Sequence, residues 1–157
     1  MNSEAQNSSR TVAALQAAYG PPSQEAFGSA VFVEKLSAVD GLEQAALEKY
    51  RYFVGDLWTR YGEDAWMEPW QEVYVRAGDA DHDILAELSG ISDRDAALSV
   101  PMILDVASDA LSAVFDAPAI TDLRVYTLGD GGAMSGLLIA AWSAAGEEAT
   151  FLTFLMD

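Results

Sequence analysis

Residues 122–157 read DLRVYTLGDGGAMSGLLIAAWSAAGEEATFLTFLMD and carry the clearest fold signal in the chain. They contain three apolar runs separated by two short glycine-containing turns: runs at 123–128, 136–142 and 149–156, with turns at 129–132 and 145–148. Apolar runs of this length, joined by such turns, are typical of antiparallel strands in hairpins. The stretch therefore predicts a three-stranded antiparallel meander.

Upstream of the meander, apolar residues spaced three or four apart predict helices. One predicted helix begins at Asp40, ends before Gly62 and has these residues on one face: Leu42, Ala46, Tyr50, Phe53, Leu57 and Tyr61. Pro101 is expected to interrupt a short helical piece that starts at Ser92-Asp93. The next helix, 102–115, is predicted to bury Ile103, Val106, Ala107, Leu111 and Val114 and to point Asp105, Asp109 and Asp116 outward.

Two segments allow more than one interpretation. Residues 31–33 (VFV) suit either a helix capped by Ser23, which we favour, or a short strand. Residues 63–79 (EDAWMEPWQEVYVRAGD) suit a helix restarted at Glu68-Pro69, or a turn followed by a strand at 71–76. If this segment is a helix, it has two sets of residues spaced four positions apart that fall on opposite faces. Asp64, Glu68 and Glu72 form an acidic stripe, and Trp66, Trp70 and Tyr74 form an aromatic stripe.

These features predict an α+β fold in which N-terminal helices pack on a C-terminal three-stranded antiparallel meander. Residues 1–10 are polar and are expected to be disordered, and residues 11–157 are expected to form a single domain. The chain has no cysteine, so thiolate chemistry and disulfides are excluded.

Charge is the strongest global property of the chain. Eight basic residues oppose 25 acidic ones, and the formal net charge is −17. Such a chain repels nucleic-acid phosphates and anionic membranes, whereas a basic protein would be attracted to it. The alternative interpretation is that the acidic surface serves only to keep the protein soluble. No apolar run reaches the roughly 18–20 residues of a membrane helix, and the polar N-terminus lacks the order of a secretory signal. We therefore expect a cytoplasmic protein.

Catalytic and metal-binding motifs are incomplete in this sequence. Asp79, Asp81 and Asp83 alternate as at the start of a calcium loop, but Ile84 and Gly90 occupy the positions that need Gly and Glu. We interpret this turn as the cap of a helix from about Asp81 to Leu88. His82 is the sole histidine. Ser135 does not fit a nucleophile elbow, and the glycines at 129–132 suit a hairpin turn.

The segment from Tyr50 to Tyr74 holds eight aromatic residues, interleaved with acids. They either pack against the meander or contact a partner, because Trp and Tyr are frequent hot-spot residues in interfaces. The candidate partner-binding residues are Trp58, Asp64, Trp66, Glu68, Trp70, Glu72, Asp79, Asp81 and Asp83.

Residues 122–142, with a glycine turn between two apolar strands, resemble the equivalent element of bacterial toxin-immunity proteins of the Smi1/Knr4-like group. This resemblance implies a bacterial protein that neutralises a toxin by binding it.

The sequence thus favours a non-enzymatic, protein-binding domain without cofactor or metal, most concretely an immunity or inhibitor protein for a basic toxin or enzyme. One alternative is a small-molecule- or divalent-cation-binding domain, possibly hydrolytic in activity, that uses Glu68, Glu72 and the 79–83 turn. Another is a homo-oligomeric subunit, at simplest a homodimer, in which an edge strand of the meander pairs with a second copy.

Overall fold

The structure, a computed structural model, describes residues 3–130 and 132–156. Its centre is one antiparallel sheet of five strands in the order β1-β5-β4-β3-β2. The strands are β1 (Gly28–Lys35), β2 (Gln71–Val75), β3 (Asp122–Gly129), β4 (Ser135–Ser143) and β5 (Glu148–Met156). The α+β class is confirmed, but the sheet has five strands instead of three.

The predicted meander forms the middle of this sheet. Strands β3, β4 and β5 pair in uninterrupted antiparallel register and match the three apolar runs. Most of their residues are buried, because helices cover both faces of the sheet. Strands buried on both faces read as continuous apolar runs, which explains why the sequence marks them so clearly.

The two outer strands correct the predicted fold. The expectation of a helix around 31–33 is wrong, because this segment lies in β1 and pairs with β5 from Gly28–Leu155 to Lys35–Glu148. The strand alternative for 71–76 is confirmed as β2, which pairs with β3. All three meander strands are therefore interior strands, and the edges of the sheet are β1 and β2.

The helices form a layer on each face, instead of the single layer expected on a meander. Helices α1 (Ser3–Tyr19), α5 (Ile84–Ser89) and α6 (Arg94–Phe115) pack on one face. A short 3₁₀ turn, Val39–Gly41, and helices α2 (Leu42–Val54), α3 (Asp56–Tyr61) and α4 (Glu63–Met67) cover the other. Helix α1 includes residues 3–10, which the sequence predicts to be disordered, and residues 1–2 lie outside the described part.

The predicted helix from Asp40 to Tyr61 is broken in the middle. Gly55 has a φ of 66°, a left-handed conformation that favours glycine, and it separates α2 from α3. Leu42, Ala46, Tyr50 and Phe53 are buried as predicted. Tyr61 is 61% exposed, because the chain changes direction before reaching it.

Helix α6 is continuous through Pro101 and kinked elsewhere. Its cap is Asp93, which accepts hydrogen bonds from two backbone N–H groups. The helix is non-helical only at Ala107 (φ −161°, ψ 74°). There the Tyr19 hydroxyl donates to the Ile103 carbonyl (2.6 Å) and accepts from the Ala107 N–H (3.2 Å). A side chain inserted between these groups kinks the helix.

Close packing of the sheet explains one of its glycines. A Cβ atom at Gly136 would lie 1.7 Å from the Phe154 carbonyl oxygen on β5. No side chain fits without separating β4 from β5, so glycine is required here by a close backbone approach.

The kink generates a testable prediction. Tyr19→Phe removes the hydroxyl and leaves a backbone donor and acceptor of α6 without their partner, so we expect a loss of about 1–3 kcal/mol of unfolding free energy. Urea denaturation measures the loss, and hydrogen exchange should show faster exchange of the Ala107 amide. Tyr61→Phe, at an exposed position, is the control and should stay within about 0.5 kcal/mol of wild type. Equal stabilities of the two variants would contradict this role of Tyr19.

Candidate functional site

Tyr50 is the centre of the aromatic segment. Its ring contacts Trp58 and Trp66 edge to face, with centroid distances of 5.1 and 6.4 Å. Its hydroxyl lies 2.7 Å from the Trp66 carbonyl and 2.8 Å from the Gly129 carbonyl, and it accepts from the Gly129 N–H. A hydroxyl has one proton, so it donates to one of these carbonyls at a time. Burial raises the pKa of Tyr50, which stays neutral and links the α2–α4 layer to the end of β3.

The structure places Trp58 and Trp66 in the core. Their exposures are 3% and 0%, and the Trp66 indole N–H donates to the Leu57 carbonyl at 2.9 Å. Neither ring presents a surface to a partner in this conformation. The core interpretation is therefore correct for these two residues, and their burial leaves almost no side-chain surface for the predicted partner contact.

Trp70 lies at the margin of the same cluster and is half-buried. It is stacked between Tyr50 and Tyr126, with interplanar angles of 12° and 8°. Its indole N–H donates to the exposed Glu43 carboxylate at 3.2 Å. Of the three candidate tryptophans, this one alone retains an accessible edge.

The acidic and aromatic stripes are not two faces of one helix. Helix α4 ends at Met67, and Glu72 already belongs to β2, so the helical interpretation of 63–79 is wrong. The carboxylates of Asp64, Glu68 and Glu72 are nonetheless exposed. We call these three residues, together with Trp70 and its hydrogen-bond partner Glu43, the Trp70 surface.

The electrostatics beside Trp70 are set by three charged groups. Burial raises the pKa of Tyr126, Arg124 opposes this shift, and Glu43 and Glu72 add to it. The Tyr126 hydroxyl has no hydrogen bond of good geometry among the described residues, although the Arg124 guanidinium is close enough to act on its pKa. The carboxylates of Glu43 and Glu72 therefore lie near the same ring.

The 79–83 turn is a helix cap, as its interpretation from the sequence proposed. Asp83 precedes α5 and accepts a hydrogen bond from the Ala86 N–H at 3.2 Å. Asp79 and Asp81 are exposed. In the described part of the chain, no three Asp, Glu or His side chains converge on a point that could hold a metal ion.

Sequence reasoning missed a buried ionic cluster beside this turn. The Arg76 guanidinium, 3% exposed, donates two hydrogen bonds to the Glu87 carboxylate at 2.6 and 2.8 Å. It also bonds the Phe115 carbonyl and, at 3.2 Å, Asp116. Asp116 in turn accepts from the Ile84 N–H, so this residue is not simply outward-facing as predicted. The cluster ties β2, α5 and the end of α6 together.

The pKa values of this cluster follow from its contacts. Burial and the Glu87 carboxylate raise the pKa of Tyr74 to about 12, since its hydroxyl donates to Glu87 at 2.5 Å. Burial by itself would raise the pKa of Glu87, but the hydrogen bonds and charge of Arg76 outweigh it, and the pKa is lowered. The Arg76 and Tyr74 donors in these contacts all bond acceptors within the protein. We therefore interpret the cluster as a structural link between elements of the fold.

The other singled-out residues have structural surroundings. The His82 ring nitrogen Nδ1 lies 3.3 Å from the Ala117 carbonyl. Ser135 begins β4 opposite Gly129. In the turn between β3 and β4, the Asp130 carboxylate accepts from the Gly132 and Met134 N–H groups.

An open cleft of about 390 Å³ lies over α2 and α3. It is lined by Gln24, Glu48, Arg51, Tyr52, Gly55, Asp56, Trp58 and Thr59. The Arg51 guanidinium lies 5.9 Å from the Trp58 ring centroid and covers it. The cleft is wide open and its lining residues carry both positive and negative charges. Its lining therefore does not favour one class of ligand.

The site residues and the fold have no counterpart in the comparisons: no model of a known protein family, no curated protein and no solved structure matches this chain. Among the described residues, one helix, α6, is long and apolar enough to span a membrane by length and composition. About a third of this apolar stretch (33%) is buried inside the fold, and Ile103, Leu111, Val114 and Phe115 are among the residues packed against the sheet.

The position of Tyr50 predicts a specific loss of stability. Tyr50→Phe keeps the ring contacts but leaves the Gly129 N–H and one carbonyl without a partner, so we expect a loss of about 1–3 kcal/mol. Urea unfolding followed by tryptophan fluorescence measures it. Tyr52→Phe is the matched control, because Tyr52 is 49% exposed, and it should have little effect. A Tyr50→Phe protein as stable as this control would show that the hydroxyl does not link the two layers.

The ionic cluster predicts a pH dependence. Because the folded-state pKa of Glu87 is lowered, its contribution is complete above its unfolded value of about 4.5 and is lost as the pH falls through the folded pKa. Glu87→Gln should therefore cost about 3–5 kcal/mol at neutral pH, and the difference from wild type should shrink below about pH 4.5. Denaturant unfolding from pH 7 to 3 measures this, with the exposed Glu68→Gln as control. A difference independent of pH would refute the charge pairing.

Proposed function

We propose that this protein is a non-enzymatic binding protein for a basic protein partner. The observation that carries the proposal is that the negative charge is displayed and largely unpaired. Among the described residues, the ion pairs are Lys35–Glu148, Lys49–Glu34 and the contacts of Arg76 with Glu87 and Asp116. Most of the 25 acidic residues therefore face solvent without a cation beside them.

An unpaired acidic surface favours association with a basic partner. Complementary potentials steer two proteins together and raise the association rate, and the effect falls steeply with ionic strength. The same negative potential repels nucleic acid and anionic lipid. Among macromolecular partners, it therefore favours a protein with a cationic surface. An immunity or inhibitor protein for a basic toxin or enzyme is the concrete form of this proposal, and the resemblance of residues 122–142 to toxin-immunity proteins supports it.

Six of the candidate residues provide the charge for testing. The side chains of Asp64, Glu68, Glu72, Asp79, Asp81 and Asp83 are all exposed, and amide replacements keep their shape. Asn at position 83 also retains the helix cap, since Asn and Asp cap equally well. A six-amide variant is thus the matched control for wild type.

The experiment is capture from the native host followed by direct binding. Wild type and the six-amide variant are immobilised, eluted with a salt gradient, and each captured protein is purified and tested by stopped-flow association. We expect a basic protein whose association rate falls at least about tenfold between low and physiological salt and is slower with the amide variant. Recovery of no basic protein, or of a partner whose binding ignores salt and the six amides, would overturn the proposal.

A further inference from the structure

Helix α6 exposes a stripe of large apolar side chains. Leu98, Met102 and Val106 are 66%, 42% and 52% exposed. They are spaced four residues apart, so they lie one above another on the outer side of the helix. We call these three residues the α6 stripe.

The core does not account for this stripe. The opposite side of α6 already buries Ile103, Leu111 and Phe115 against the sheet. Val106, which the sequence predicts to be buried with them, instead faces outward. A helix that needs only one apolar side to fold has three large apolar residues on the other, and contiguous exposed apolar residues commonly mark interaction sites.

Acidic residues flank the stripe along the same side of the helix. Two stripe residues have an exposed aspartate three positions away in the same helical segment, Asp95 before Leu98 and Asp105 after Met102, whereas Asp109 follows Val106 beyond the kink at Ala107. Positions three apart are neighbours on a helix surface. Helix α1, which packs beside α6, carries no charged residue from Thr11 to Tyr19. The surface thus combines an apolar centre with carboxylates, and in the described part of these two helices the exposed cations are Arg94 at the start of α6 and Arg10 in α1.

We infer that the outer face of α6 docks a basic amphipathic segment of the partner protein, an inference that rests on the proposed function. Apolar side chains of that segment cover Leu98, Met102 and Val106, and its Lys and Arg residues reach Asp95 and Asp105. This is the mode in which an amphipathic helix lies on an apolar surface, with charge setting its choice of partner.

Charge argues against the two other occupants of such a surface. In a dimer formed through α6, the aspartates of the two copies would face each other, and each chain has a net charge of −17. An anionic membrane would repel the same aspartates. A cationic amphipathic segment, in contrast, covers the apolar stripe with its own apolar side chains and pairs its positive charges with the neighbouring carboxylates.

The test uses the full chain and a defined probe, a labelled synthetic helix with Lys and Arg on one side and Leu on the other, together with its scrambled sequence. The stripe variant is Leu98→Gln/Met102→Gln/Val106→Gln, which keeps residues of good helix propensity. Its control is Phe27→Gln/Tyr61→Gln/Val75→Thr, three apolar residues of similar exposure elsewhere. We expect fluorescence anisotropy to show about tenfold weaker binding for the stripe variant and little change for the control.

A second pair of variants separates local contact from overall charge. Asp95→Asn/Asp105→Asn/Asp109→Asn removes the three exposed aspartates of α6, and Asp64→Asn/Glu68→Gln/Glu72→Gln removes three charges at the Trp70 surface. We expect the first triple variant to weaken probe binding about tenfold at low salt and the second to weaken it much less. Thermal melts of all variants should match wild type, because every substituted side chain is exposed, and Met102→Leu should bind the probe as wild type does.

Each contrary outcome has its own meaning. Equal losses from the two charge variants, or a larger loss at the Trp70 surface, would overturn the α6 assignment and leave the proposed function standing. Light scattering that shows a dimer lost in the stripe variant would overturn it in favour of a second copy. Binding of neutral or anionic vesicles that is lost in that variant would overturn it in favour of a membrane. If host capture also yields no basic protein, the proposed function itself fails.

Discussion

The structure depends on covering both faces of one apolar sheet. Most side chains of strands β3, β4 and β5 are apolar and buried, so water must be excluded from both faces. Helices from the N-terminal part of the chain do this in two layers, α1, α5 and α6 on one face and α2–α4 on the other. The breaks and kinks in these helices follow from that constraint. The left-handed Gly55 lets α2 and α3 change direction while both stay packed on the sheet.

Hydrogen-bonded side chains then fix the layers to the sheet at single points. Tyr50 joins the α2–α4 layer to the end of β3, and Arg76 joins β2 to α5 and α6 on the opposite face. These polar groups are buried, so each stabilises the fold only while all its hydrogen-bond partners are in place. That is why they are structural despite their polarity and their altered pKa values. Most of the exposed carboxylates have no such partners, and under the proposed function they are the groups available to bind a partner.

The parts of the fold that could be predicted are those whose signal is local. Long runs buried on both faces identified β3, β4 and β5, and helical spacing identified the buried side of α2. A strand at 31–33 was the less favoured interpretation because its partner β5 begins at Glu148, more than 100 positions after Lys35, and residues 28–35 alone do not indicate that pairing. At the candidate site, acidity identified exposed residues such as Glu68 and Glu72. The burial of Trp58 and Trp66 depends on how helices α2, α3 and α4 pack together, and the spacing of residues in the sequence does not reveal that packing.

The α6 stripe was overlooked for a related reason: Leu98 and Ile103 look alike in sequence, and only the packing shows that one is inside and the other outside. The same packing holds the stripe rigidly. Asp93 caps the start of α6, the Tyr19 hydroxyl is bonded at Ile103 and Ala107, and Arg76 bonds the Phe115 carbonyl at its end. Association costs less when the binding surface is already ordered, because less conformational freedom is lost. Under the docking inferred above, a helix hydrogen-bonded at its start, middle and end presents its apolar residues already ordered, whereas a surface of acidic side chains alone would steer the encounter without holding the partner.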